Sequence, residues 1–363
     1  YFVFNGDRAN GYDLEVTLQG QGRLEEWDPL TGAIAELSGD DGVPGNVRFA
    51  THLAPAGSRI FVIDPASTLL PGPSRTCPPH HREQRTARNT CFIGPSCRFS
   101  RADPNILTLD MCRYSLEGAP LSEEMEVWRA QDAIRSALGM RSNYYNGLPQ
   151  RYKWAVLPHA ADGAPVSLHF GFRVEQVPSE PVHLLVEGAE QFEMALNGVP
   201  FESTATGWYL DRSMHRVALP PLAAGHNELS LLCRYTNHME LEDIYLLGDF
   251  GVSIDRAIIA EPTELHFGDW TTQGYPHYAG AITYHGSYEH VPAAGCRTRL
   301  YLGRHEAVHV AVAVNGNPAG HIPWTSANGL DITEALQEGE NAIDITVVGS
   351  PRNMLCQRRL AKR

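Results

Sequence analysis

The sequence has no run of about 18 consecutive apolar residues, the length a helix needs to cross a bilayer, so nothing in it is expected to span a membrane. Basic side chains are in the minority. There are 29 Lys and Arg against 42 Asp and Glu, a formal charge of −13. Phosphate recognition needs a basic surface, which argues against nucleic acid or an anionic membrane as partner. No G-x-G-x-x-G and no P-loop occurs, so nucleotide binding has no basis. A nucleophile elbow is missing too, because "GVSID" (Gly251–Asp255) lacks the second glycine of G-x-S-x-G. No alternation of strands with helices is long enough to close a (β/α)8 barrel. The start, "YFVFNGDRAN", has no basic n-region, long apolar core, cleavage site or initiator Met. It reads as a strand already in progress, so the chain is expected to be a fragment, a processed product or a part of something larger.

What is present is ordinary globular composition. Hydrophobic residues make up 43% and charged residues 20%, which argues against a mainly disordered chain. Seven cysteines, an odd number, cannot all pair within one chain. Cys77, Cys91, Cys97 and Cys112 lie close together, with His80 and His81 beside the first. Two readings follow: a zinc site, or an exposed linker with free thiols or one disulfide. The spacing lacks the close ligand pairs, C-x2-C or H-x3-H, that zinc sites usually show.

Short alternating runs dominate the chain. "YDLEVTLQG", "RIFVIDP", "NILTLDMCRYS", "PVHLLVEG", "HRVALPPL", "NELSLLCRY", "AVHVAVAVNG" and "NAIDITVVG" read as strands, each ended by Gly, Pro, Asn or Asp. With 33 Gly and 25 Pro in the connections, the pattern predicts an all-β fold built of sandwiches. One helix is expected within "SEEMEVWRAQDAIRSALGM". Val127, Ala130, Ile134, Ala137 and Leu138 share one face, Ser122 is a plausible N-cap, and Gly139 can end it.

The most informative feature is an internal repeat. The first copy reads "PVHLLVEGAEQFEMALNGVP", Asp211, then "LPPLAAGHNELSLLCRY". The second reads "RTRLYLGRHEAVHVAVAVNGNP", Asp331, then "ITEALQEGENAIDITVVG". Each has a strand ending in Asn-Gly, a central Asp, and a Gly-x-Asn before the next strand. Asn-Gly tolerates positive φ and makes a tight hairpin. Recurrence of Asp211 and Asp331 at equivalent positions favours a shared turn or cap over catalysis. Two related jelly rolls follow, and boundaries with them. Residues 1–75 form a small β-sandwich unit, 76–255 a jelly roll with a helical insertion, and 256–363 a second jelly roll. The tail "CQRRLAKR" is basic, has no sandwich pattern and is expected to be exposed or disordered.

Several stretches carry a family likeness: "EEWDPLTGAIAEL" (Glu25–Leu37), "NILTLDMCRY", "EMALNGVP", "GDFGV" (Gly248–Val252), "GYPHYAGAITY" and "VAVNGNPAGHIPWTSANGLDITEALQEGENAIDITV". They resemble the C-terminal accessory region of large bacterial glycoside hydrolases with galactose-binding-like jelly rolls, as in glycoside hydrolase family 2 and the family 106 rhamnosidases. The resemblance implies tandem galactose-binding-like β-sandwiches, a carbohydrate ligand, and a separate catalytic barrel in the parent protein as partner. With no signal peptide in this chain, its address stays open between bacterial cytoplasm and secretion.

Two chemistries compete for the site. Glycoside hydrolysis needs two carboxylates roughly 5–10 Å apart. Glu240 and Glu242, placed on one face of an expected strand, and Asp269 are the candidates for a pair, in which case the chain would itself be a glycoside hydrolase working at a domain interface. Alternating acids facing solvent, with Met239, Leu241 and Ile244 buried, is the simpler reading of the first two. Sugar binding needs aromatic faces for C–H stacking and polar forks for hydroxyls. The stretch "GDWTTQGYPHYAGAITYHG" (Gly268–Gly286) is densest in both. Its Tyr278 and Tyr284 alternate with small residues and read as strand framework, whereas Trp270, Gln273, Tyr275 and His277 precede the strand as a ligand loop. Trp208, Tyr209 and Trp324 are further aromatic candidates, with Asp211, His285 and Asn328 as polar neighbours. No organic cofactor is expected, and a structural Ca²⁺ held by Asp and carbonyls is the one metal the fold class suggests, although no Asp-rich ligand run is visible.

Overall fold

The computed structural model describes residues 1–29, 32–40, 43–68, 70–71, 87–91, 93–94, 96–141, 157–303, 305–322 and 329–355. The described chain is predominantly β, with several largely antiparallel sheets. It divides into two units, Tyr1–Gly94 with His285–Val347, and Pro95–Tyr284 with Val348–Arg363.

The first unit opens with a small sandwich of alternating strands. They are β1 (Phe2–Phe4), β2 (Tyr12–Gln19), β3 (Arg23–Trp27), β4 (Ile34–Gly39), β5 (Asn46–Leu53) and β6 (Ser58–Asp64). One sheet runs β1-β6-β3-β4, and β2 pairs with β5. Their inward residues Leu18, Leu24, Leu37, Val47, Phe49 and Phe61 form a buried apolar core. Glu26 is buried in that layer and compensated by an ion pair with Arg59, since a lone carboxylate there would be costly. The same unit holds the second repeat. Gly339–Val348, His309–Val314 and Asn317–His321 are neighbours in one sheet, and Cys296–Leu300 pairs with Leu330–Asp331.

The second unit is a sandwich whose faces enclose the largest core. One sheet runs Asn105–Leu109, Ile244–Gly248, His183–Glu187, Asp211–Ala218, Ala205–Tyr209. The other is built on Ala164–Val174 and Gly225–Tyr235, paired antiparallel over their full length. Leu107, Leu184, Val186, Val217, Ile244 and Leu246 face Val166, Leu168, Phe170, Leu229 and Leu231. The run "NILTLDMCRYS" is two strands, not one. It breaks at Asp110, whose carboxylate accepts from Arg256 at 2.7 Å, and continues in the opposite sheet as Met111–Leu116.

The expected helix is present but shorter, Val127–Ala137. Ser122 is not its N-cap. The Ser122 hydroxyl accepts from the Tyr114 amide and donates to the Glu123 carbonyl, and Met125–Glu126 pair as a short strand with Met111–Cys112. Val127, Ala130 and Ile134 are buried as read, Ala137 is exposed, and Arg135 takes an interior place. Its guanidinium donates to the Tyr235 hydroxyl and to both the carbonyl and side-chain oxygens of Asn237.

The repeat survives at atomic detail. Asn197 and Asn315 both adopt φ 52°, followed by Gly198 and Gly316 at φ 78°, the positive-φ pair of a tight hairpin. Asn197 Nδ2 donates to Asn227 Oδ1 at 3.0 Å, and Asn315 Nδ2 donates to Asn341 Oδ1 at 2.9 Å. Asp211 accepts from the Ser213 amide and hydroxyl, and Asp331 accepts from the Thr333 amide and hydroxyl. Each Asp therefore closes a turn, the shared structural job expected of it.

Cys91, Cys97, Cys112, Cys233 and Cys296 are free thiols, the first four buried. Burial pushes the Cys91 and Cys233 thiols up to about 11 and Cys112 up to about 12. Thiolate is the reactive form. Native protein treated with iodoacetamide at pH 7 is therefore expected to leave these three unmodified, and unfolding in denaturant to expose them; peptide mass mapping reads both states. Cys77, His80, His81 and Cys356, and with them the zinc reading and the basic tail, lie outside the described residues.

Candidate functional site

Of the aromatic stretch Gly268–Gly286, residues 268–284 belong to the second unit, and His285 and Gly286 to the first. Asp269 caps a 3-10 turn at Trp270–Thr272, its carboxylate accepting from the Thr271 amide and hydroxyl. Gln273 is spent on backbone: its Oε1 accepts from the His266 amide at 2.8 Å and its Nε2 donates to the His266 carbonyl at 3.1 Å. That clips the loop to the strand Glu264–His266. Trp270, Tyr275, His277 and Tyr278 are all buried. Tyr275 makes edge contacts with Phe99 and Tyr278, and Tyr278 with Trp270. The Tyr275 hydroxyl donates to Glu261 at 2.8 Å. Glu261 is in turn ion-paired with Arg101, which also reaches Asp249 at 2.8 Å. Burial and the Glu261 carboxylate push the Tyr275 hydroxyl far above its ordinary pKa.

Of the ligand platform expected at Trp270, Gln273, Tyr275 and His277, the three rings are therefore buried framework and Gln273 is tied to the backbone. Tyr284 is framework as read, stacked on Phe267. Tyr278 is framework too, but in the turn before the strand, which starts at Ala281.

The carboxylate candidates separate. Residues 238–243 are not a strand, so Glu240 and Glu242 do not stand at alternate strand positions, and the strand begins at Ile244. The loop nevertheless brings both to one small cleft with room for about a single water, lined also by Glu187, Leu168, Val186 and Leu231. That is far below the roughly 300 Å³ at which small-molecule pockets begin. Asp269 is not among its lining residues and its side chain is committed to the turn. Among the described residues, no group of three or more His, Cys, Asp or Glu is placed to hold a metal ion.

One aromatic candidate is open. Trp208 is 56% exposed on Ala205–Tyr209, the edge strand of its sheet. It stands directly across from His215. His215 Nδ1 lies 3.2 Å from Glu190 Oε2, an ion-pair distance without hydrogen-bond geometry. An exposed indole thus pairs across the strands with a histidine that is itself at ion-pair distance from an exposed carboxylate, with Asp211 at the same hairpin. The sequence reading names Trp208 and Asp211 but misses His215 and Glu190. Cross-strand pairing over the tight turn at Leu210 is the signal that would have found His215; Glu190, from a separate turn, carries no local signal. His285 pairs with Asp344 at 2.8 Å in the other unit, and Trp324 and Asn328 lie outside the described residues.

No family profile matches the chain, and no curated protein sequence matches it. Solved structures do. A rhamnosidase from Novosphingobium sp. PP1Y is similar at 17% identity over 65% of this chain and 18% of its own, with a TM-score of 0.20. An α-L-rhamnosidase of Streptomyces avermitilis, solved with L-rhamnose, is similar at 11% identity over 92% of this chain and 33% of its own, TM-score 0.28. A β-D-mannosidase from Dictyoglomus thermophilum is similar at 13% identity over 68% and 31%, TM-score 0.26. The chain thus spans a third or less of the length of these enzymes, and TM-scores of this size carry no argument about its fold or activity.

Proposed function

We propose that this chain is the accessory, glycan-binding β-sandwich portion of a glycoside hydrolase. The observation that carries the reading is the exposed Trp208 face beside His215 and Glu190. A pyranose stacks its C–H face on the indole, and the imidazole and carboxylate take its hydroxyls, with no covalent step. The sequence resemblance supports the same reading.

Calorimetric titration with neutral oligosaccharides tests it. Trp208→Ala is expected to weaken binding at least tenfold, about 1.4 kcal/mol. Thermal stability should be unchanged within error, because the side chain is more than half exposed. Equal binding by the variant would overturn the assignment of the site. Turnover of aryl glycosides by the purified chain, abolished by Glu242→Gln, would replace the accessory reading with that of a hydrolase.

A further inference from the structure

The N-terminal sheet carries a second surface that the Trp208 corner does not explain. Strand register sets Phe2 opposite Ile60, Ile60 opposite Trp27, and Trp27 opposite Ile34. These four residues form one row across β1, β6, β3 and β4. Successive side chains on a strand face opposite ways. Val3, Phe61 and Leu24 belong to the core, so the row faces away from it. Phe2 is 65% exposed, Trp27 42% and Ile34 57%. Phe4, on the same face as Phe2, is 66% exposed, and the two rings lie 6.0 Å apart with planes only 21° from parallel. Strands lie about 4.8 Å apart, so the row is roughly 14 Å long. Soluble proteins seldom leave contiguous apolar surface of this kind without a use for it.

Beside the row runs a polar strip. Val62, Glu25 and Glu36 are the next register line, followed by the pair Asp64 and Arg23. Glu25 fixes the indole, accepting from Trp27 Nε1 at 2.9 Å, and is itself paired with Arg23 at 2.9 Å. The strip holds three carboxylates and one guanidinium, which repels anionic polymers and anionic headgroups. An apolar row with carboxylates along one side fits a ligand that is uncharged, apolar on its face and rich in hydroxyl donors at its edge.

We propose that this sheet face is a platform for an extended neutral polysaccharide. Its pyranose rings lie along Phe2, Ile60, Trp27 and Ile34, and its hydroxyls donate to the exposed Glu36. The site is separate from Trp208 and stands whether or not that corner binds sugar.

The test is co-sedimentation of the purified chain with microcrystalline cellulose, with gel retardation in galactomannan as the soluble counterpart. Binding to at least one is expected, with at least a tenfold loss in Trp27→Ala and retention in Trp27→Phe. Ile34→Ser, at the end of the row, gives the same loss and serves if Trp27→Ala does not fold, as judged by its thermal midpoint. No binding of the wild type to either polymer overturns the proposal, as does equal binding by Trp27→Ala. A concentration-dependent dimer that Trp27→Ala disperses, without polysaccharide binding, also overturns it and makes the face a contact between copies. Retardation by polygalacturonate as strong as by galactomannan overturns the charge argument on which the ligand class rests.

Discussion

Asn227→Ala is expected to destabilise the unit that contains it by about 3 kcal/mol, the sum of several buried hydrogen bonds lost with their partners left unpaired. Asn227 is fully buried. Its amide donates to the Ala223 carbonyl at 2.7 Å, and its Oδ1 accepts from the Ala223 amide and from Asn197 Nδ2, each at 3.0 Å. One side chain therefore closes the loop before its strand and pins the Asn-Gly hairpin of the neighbouring strand. Asn227→Asp should not rescue the loss, because a carboxylate cannot donate to the Ala223 carbonyl and its burial adds a charge penalty. Asn341→Ala should cost a similar amount in the other unit. There Asn341 donates to the Gln337 and Gly339 carbonyls and accepts from the Gln337 amide, each at 2.8 Å. Urea unfolding read by fluorescence gives the loss. Hydrogen exchange then localises it, with the Glu228 amide, held by Asn197 Oδ1 at 2.9 Å, expected to lose protection in Asn227→Ala. A cost below about 1 kcal/mol would mean that water replaces the amide.

These asparagines also show why the fold was legible. Asn-Gly and Gly-x-Asn are local signals with one structural meaning, a positive-φ turn and a buried amide that caps it, so the repeat can be read from spelling alone. Alternation is equally local. The strand Ala164–Val174, which is not among the runs read as strands, alternates buried and less buried positions along its whole length and could have been found by the same rule. The break at Asp110 could not. It depends on Arg256, far along the chain, taking the carboxylate and letting the strand change sheets.

The candidate site was less legible for a related reason. A dense aromatic run says nothing by itself about which side of a sheet it ends on. Tyr275 and Tyr278 are buried because Phe99, Arg101 and Asp103 pack against them from more than 170 residues earlier in the chain. Trp208 and Trp27, each outside such a run, are exposed. Both sit on strands where the face, not the local composition, decides exposure.

His277 gives the second large effect, a loss of stability on acidification. The imidazole is buried against the strand Asn105–Leu109, where the Thr108 amide approaches its Nδ1 at 3.5 Å. Burial, with the Arg256 guanidinium nearby, pulls its pKa down to about 4, whereas a backbone hydrogen bond with Ile106 acts weakly the other way. An unfolded histidine titrates near 6.5. Between these values the unfolded chain binds a proton that the folded chain refuses, so protons favour unfolding. The contribution is fully present above about pH 6.5 and is lost as pH falls to about 4, amounting to about 3 kcal/mol at 1.36 kcal/mol for each pH unit. Carboxylates whose pKa is held down, such as Glu228 between His169 and Arg113, lose their contribution at the acid end of the same scan. The comparison that isolates the imidazole is therefore wild type against His277→Gln, each unfolded in urea at several pH values from 7 to 4. The variant should be the less stable protein at pH 7, and the gap should close as pH falls. Parallel curves would mean that the folded imidazole titrates as it does in water, and the buried, neutral histidine would have to be given up.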